Sequence, residues 1–187
     1  MGIRNTQNAR LVARACPVPE TASALQSLDR VDYADAFRVL LPADEALDAE
    51  AWARAALEQA WPGAGSLRPA LPRDVAVRIW WALVAWRRRP AVRQGRVAGW
   101  KIARRTDAAI RIDAAPRWGS VQIVFVVMPD AQRRKALVMA TFVRFDGWTG
   151  RAFFALIRPA HRRVAAFLIA RAASTHRRNP RAGFDVT

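Results

Sequence analysis

An α+β domain, in which one long C-terminal helix covers a sheet, is what the sequence predicts, and three observations carry the prediction. Residues 118–128 and 136–146 form two alternating apolar runs of strand length. A tight turn follows at Gly147-Trp148-Thr149-Gly150. From Arg151 to about Ser174 apolar residues then recur at helical spacing. A hairpin that feeds a long amphipathic helix hides one face beneath it, and in many small domains a cavity lies between the layers.

The 187 residues suffice for one full core and are too few for two comfortable domains. Residues 1–30 are polar and mixed, with Pro17 and Pro19 preventing a continuous helix. They are expected to be a partly disordered segment before a single domain over residues 31–174, and the basic residues 175–187 a tail. Tyr33, Asp35, Phe37, Val39 and Leu41 alternate with Ala34, Ala36, Arg38 and Leu40, which reads as a strand ending at Pro42.

Asp44 is placed to cap a helix over residues 45–61, with Glu45, Asp48 and Glu50 near the positive end of its dipole. Leu47, Ala51, Trp52 and Ala55 form its buried stripe. The stretch 74–87 reads as a second helix, apolar nearly all round through Val75, Ile79, Trp80, Trp81, Leu83 and Trp86. Arg87-Arg88-Arg89-Pro90 ends it with cations at the negative pole.

Strands are expected at residues 97–106 and 109–114 before the two long runs. In those runs Val121, Ile123, Phe125 and Val127, then Leu137, Met139, Val143 and Phe145, mark one face. The even positions Val124, Val126, Val138, Ala140 and Phe142 are apolar too, so both faces require cover, one by the helix and the other by further elements or another subunit. In the last helix Phe153, Leu156, Ile157, Ala160, Val164, Phe167 and Leu168 share a side, and Pro159 is expected to kink it or end its first part.

Composition narrows the function classes. The longest nearly uncharged run, residues 75–86, contains Arg78 and falls short of the ~20 residues of a spanning helix. No secretory pattern opens the chain, and Cys16 stands alone, so a reducing, cytoplasmic setting is expected. The 31 basic residues outnumber 15 acidic ones, for a net charge of +16. Residues 1–60 hold 6 Arg against 9 acids, and residues 61–187 hold 25 basic residues against 6 acids. The excess points to an anionic partner, or to a solvated surface written by a GC-rich bacterial genome, since 29 of the basic residues are Arg.

Among chemical groups, His161 stands out. It lies at the edge of the apolar helix face near Phe154, Ile157 and Leu168, where an imidazole can exchange a proton near neutral pH or simply satisfy itself inside the core. Arg144 and Asp146, two apart on the even face, can form an ion pair or the polar end of a cavity. Trp100 and Trp118 can line a pocket or fill a core. No metal spacing, nucleophile elbow, phosphate loop or dinucleotide glycine pattern occurs, so no metal or cofactor is expected. Arg87, Arg88 and Arg89 beside Trp80, Trp81 and Trp86 mix cation and aromatic, as a nucleic acid or anionic bilayer surface would require, without any accompanying recognition motif.

Several motifs carry a resemblance. They are Asp32-Tyr33-Ala34-Asp35-Ala36-Phe37, a helix with Trp52, Gly99-Trp100-Lys101-Ile102, Thr141-Phe142-Val143-Arg144-Phe145, Gly150-Arg151-Ala152-Phe153-Phe154 and Pro159-Ala160-His161. Together, over about residues 15–174, they resemble an uncharacterised bacterial domain family, domain of unknown function DUF 2867, whose members look like START and Bet v 1 type helix-grip domains. The resemblance implies a curved antiparallel sheet gripping the C-terminal helix and suggests a hydrophobic-ligand cavity; the residues themselves add two helices after the first strand. It brings no activity and no catalytic residues.

The expected function is therefore binding of a small hydrophobic or amphipathic molecule between sheet and helix. Arg144, His161, Trp118, Trp100 and Phe154 are the expected site, with an anionic or carbonyl group of the ligand facing Arg144. The alternatives are a cyclase- or hydrolase-like enzyme with His161 as general acid/base, and a Trp/Arg-rich module that meets membrane, nucleic acid or a second copy of the chain.

Overall fold

The computed structural model describes residues 11–42, 46–59 and 95–178. The two long apolar runs form β6 (Gly119–Pro129) and β7 (Lys135–Phe145), paired antiparallel from Gly119↔Phe145 to Pro129↔Lys135. The Asp130 side chain sets their connection by accepting the Gln132 and Arg134 backbone N–H groups at 2.9 and 2.8 Å. On the far side of β7 lies β2 (Tyr33–Leu40), in register from Tyr33↔Val143 to Leu40↔Ala136. Beyond β6 come β5 (Ala109–Ala114), β4 (Trp100–Arg105) and β3 (Arg96–Val97). With β1 (Arg14–Cys16) at the other edge, they complete a curved seven-stranded antiparallel sheet.

Two strand boundaries differ from expectation. The stretch 97–106 is split, because Ala98 and Gly99 take φ of +50° and +82° and reverse the chain between β3 and β4. That pair of positive angles is the mirror-image turn whose twist suits a two-residue hairpin. At the other edge, β1 and α1 (Glu20–Ser23) fall within residues 1–30, where no element was expected. Three residues of alternation are too few to register as a strand, and pairing with β2 supplies what local pattern does not.

Both faces of the central strands are covered, as their two-sided apolarity requires. Odd positions such as Phe37, Ile123, Phe125, Leu137 and Met139 share a buried cluster with Ala160, Val164, Leu168 and Ile169 of the C-terminal helix. Even positions such as Val124, Val126, Val138, Ala140 and Phe142 pack against Cys16, Val18, Ala22, Leu25 and Leu28. The chain's own N-terminal segment thus closes the second face. Gln122 and Ser27 fasten it with reciprocal bonds of 2.9 and 3.0 Å, and Arg111 donates to the Leu25 carbonyl at 2.7 Å.

The covering helix, α3 (Trp148–Arg178), has 31 residues and so spans about 46 Å. It begins before Arg151, because Gly147 makes the turn at φ +90° and Gly150 already belongs to the first helical turn. A Cβ on Gly150 would collide with the Trp118 carbonyl oxygen, so only glycine lets that turn sit on β6. The helix runs through Pro159 without ending. Pro159 carries no N–H to bond the carbonyl one turn back, and it lies on the exposed side of the helix together with Ala155.

α2 (Ala49–Arg54) continues into a π-helical turn at Ala55–Gln59. Its cap is Asp48, whose carboxylate accepts the Ala51 N–H at 2.7 Å, one turn later than expected; Asp44 lies outside the described residues. The helix expected at residues 74–87, with Arg87, Arg88 and Arg89, and the end of the tail also lie outside them. Among the described residues no helix is long and apolar enough to cross a membrane.

Candidate functional site

Between the odd face of the sheet and α3 lies a cavity of about 330 Å³. It forms where two buried clusters meet without filling the gap. One cluster, toward the start of α3, contains Val143, Phe145, Phe154 and Ile157. The other, further along, contains Leu57, Ile123, Met139, Val164 and Leu168. Both contribute to the lining, and Trp100 and Trp118 complete it beside the Ala98-Gly99 and Ala115-Pro116 turns.

Into this apolar surround the fold inserts a small polar group. Asp35, Thr141 and His161 are all buried, and Asp35 and Thr141 are register partners across β2 and β7. The Tyr33 hydroxyl donates to Asp35 Oδ2 at 2.6 Å, and His161 Nε2 lies 3.4 Å from Asp35 Oδ1. Three aromatic contacts fix the imidazole and the phenol. Tyr33 and Phe154 ring centroids are 4.7 Å apart, Phe154 and His161 5.6 Å, and Tyr33 and His161 6.2 Å in an edge-on arrangement.

The electrostatics follow from these contacts. Burial pushes the Asp35 carboxyl up, but the bonds from His161 and Tyr33 and the charge of Arg162 outweigh it and hold it below the ordinary carboxylate value. Burial, then the bond to Asp35 and its negative charge, push the Tyr33 phenol well above its ordinary value. Asp35 is thereby kept as a carboxylate and Tyr33 as a phenol. Thr141 differs from both. Its Oγ1 is buried and has no hydrogen-bond partner among the described residues, although the side chain lines the cavity.

Four expected site residues come together: Trp100, Trp118, Phe154 and His161 all line the cavity. Trp118 stacks obliquely on Phe153 and Phe154 at 5.6 and 5.9 Å. Arg144 is not brought there. As an even residue of β7 it points to the opposite face, where it pairs with Asp146 at 3.0 Å and Asp29 at 3.3 Å and reaches Ser120 Oγ at 3.5 Å. The cavity's polar end is instead made by Thr141 and by His161 backed by Asp35 and Tyr33. Of these only His161 was singled out from the sequence. Asp35 and Thr141 occupy the same inward phase as Phe37, Val39, Met139 and Val143, so the available signal is a polar residue at an inward position of each strand.

Chemically, an imidazole oriented by a buried carboxylate at the wall of an apolar cavity can hold a proton in a fixed direction beside a bound molecule. Among the described residues no three His, Cys, Asp or Glu side chains gather to hold a metal. Neither the curated proteins nor the solved structures contain a match to this chain. The family model described as Protein of unknown function (DUF2867) matches residues 27–167, which include β2 through β7 and α3 as far as Phe167, and the chain belongs to that family.

Proposed function

We propose that this protein binds a small hydrophobic or amphipathic molecule in the cavity between the sheet and α3. The observation that carries this reading is the cavity itself. At about 330 Å³ it falls at the lower end of the ~300–1,000 Å³ typical of small-molecule sites. Its wall is apolar apart from one polar end, the composition by which such sites combine affinity with orientation.

The test uses a neutral fluorophore, 1-aminoanthracene, whose emission rises in apolar surroundings. The wild-type protein is expected to bind it saturably. Ala165→Phe places a ring into the space that Ala165 lines and is expected to abolish binding while leaving the melting temperature equal or higher. Absence of binding to the wild type would overturn the reading, as would equal binding to the filled variant.

A further inference from the structure

We propose that the cavity selects an apolar molecule bearing one neutral hydrogen-bonding oxygen, a carbonyl or hydroxyl, held by Thr141 Oγ1, and rejects its carboxylate counterpart. The inference rests on the cavity-binding reading above and adds the chemical class of the ligand. Its first support is the state of Thr141. The residue is 2% exposed, lines the cavity, and its hydroxyl has no partner among the described residues. A buried hydroxyl left unbonded costs about 1–3 kcal/mol, whereas valine would fill the same shape at no such cost. A ligand oxygen that accepts the Thr141 proton removes that penalty, so binding gains what the empty fold forgoes.

The second support is the sign of the charge beside it. Across the strand pair from Thr141 stands Asp35, held as a carboxylate by His161 and Tyr33. No Arg or Lys is among the described lining residues: Arg158 and Arg162, whose charges reach Tyr33 and Asp35, are exposed on α3, and Arg144 points to the other face of the sheet. An anionic headgroup brought to Thr141 would meet a like charge, with no Arg or Lys in the described wall to bond it in exchange for its lost hydration. A ketone, ester or alcohol oxygen meets neither obstacle. His161, bonded to Asp35 and lining the same wall, flanks the oxygen and limits the headgroup to a small one.

Four probes sharing one chain length separate the terms: n-octane, 2-octanone, 1-octanol and octanoate, each competing with 1-aminoanthracene at neutral pH. The ketone and the alcohol are expected to compete at concentrations about tenfold lower than octanoate. Thr141→Val is expected to weaken the ketone by about three- to tenfold, to leave octane unchanged, and to raise the melting temperature of the empty protein. Thr141→Ser, which keeps the hydroxyl, is expected to retain the ketone preference. Octanoate binding as tightly as the ketone would overturn the inference. So would an unchanged ketone affinity in Thr141→Val, a lowered melting temperature there, or equal losses in the Val and Ser variants. In all of these the probes still bind and the cavity reading stands. If neither the fluorophore nor any probe binds the wild type, the cavity reading fails and this inference fails with it.

Discussion

Asp35 Oδ1 and His161 Nε2 lie 3.4 Å apart although 126 positions separate the two residues in the chain. The contact joins the first long strand to the last helix, and it is buried on both sides. A polar bond in such a place holds one relative position of helix and sheet, since sliding either element strands a carboxylate away from water.

His161→Ala is therefore expected to destabilise the fold by about 1.5–3 kcal/mol, the range for a hydrogen bond to a charged group. Among the described residues Asp35 then keeps the Tyr33 hydroxyl as its side-chain hydrogen-bond donor, with the charge of Arg162 acting from the exposed side of α3. Asp35→Asn preserves the shape and the acceptor for Tyr33, and is expected to lose less. Urea denaturation of both single variants and the double variant measures the coupling. A cycle closing with no interaction energy would show that the pair does not secure the helix.

Acid should weaken the same contact. The Asp35 carboxyl titrates below its ordinary value of 3.8 in the folded chain, so the unfolded chain binds its proton first as pH falls. The stabilisation is complete above 3.8 and is lost as pH drops through the lower, folded value. Stability curves of wild type and Asp35→Asn are expected to converge as pH falls below 3.8. Parallel curves throughout the acid range would refute the assignment.

Tyr33 gives the alkaline counterpart with the sign reversed. Its phenol is pushed up by burial and by Asp35, so its contribution is complete below the ordinary 10.0 and lost as pH rises through the folded value. Tyr33 is the only tyrosine of the chain, and tyrosinate absorbance therefore reports this group alone. The native protein is expected to show no tyrosinate at a pH where the urea-unfolded chain is already ionised, and to release it only on alkaline unfolding. Coincident titrations of native and unfolded chain would contradict the buried Tyr33–Asp35 bond.

The sequence carried much of this architecture because period and parity are local properties. β2, β5, β6, β7 and the covering helix were legible from alternation and helical spacing alone. The container followed from those elements, and His161, Trp100, Trp118 and Phe154 were placed in it by phase. Arg144 was misplaced for a reason that parity itself exposes: its even position belongs with Ser120, its register partner on β6, and not with Thr141. Asp35 and Thr141 carry no site signal of their own in the sequence, because each is one polar residue in a run whose neighbours set the reading. Only the register between β2 and β7 brings them together, and register depends on pairing that no local window contains. β1 escaped for the same reason.

The turn beside the cavity offers a separate test of backbone strain. Ala98 and Gly99 both adopt positive φ, and the Glu58 carboxylate of the π-helical turn accepts the Ala98 N–H at 2.8 Å. A residue with a Cβ is disfavoured in this region by about 1–2 kcal/mol, whereas glycine adopts it freely but loses more chain entropy on folding. Ala98→Gly is thus expected to stabilise the protein modestly, by about 0.5–1 kcal/mol, and Gly99→Ala to destabilise it by about 1 kcal/mol or more. Glu58→Ala removes the bond that holds the strained alanine, and is expected to cost about 1 kcal/mol in the wild type. It should cost less in the Ala98→Gly background, where the turn no longer needs an anchor against strain. Chemical denaturation of the four variants, with the fluorophore's association rate as a second readout, checks the set. Equal destabilisation by Ala98→Gly and Gly99→Ala would mean that the turn is held by its surroundings rather than by its own backbone geometry.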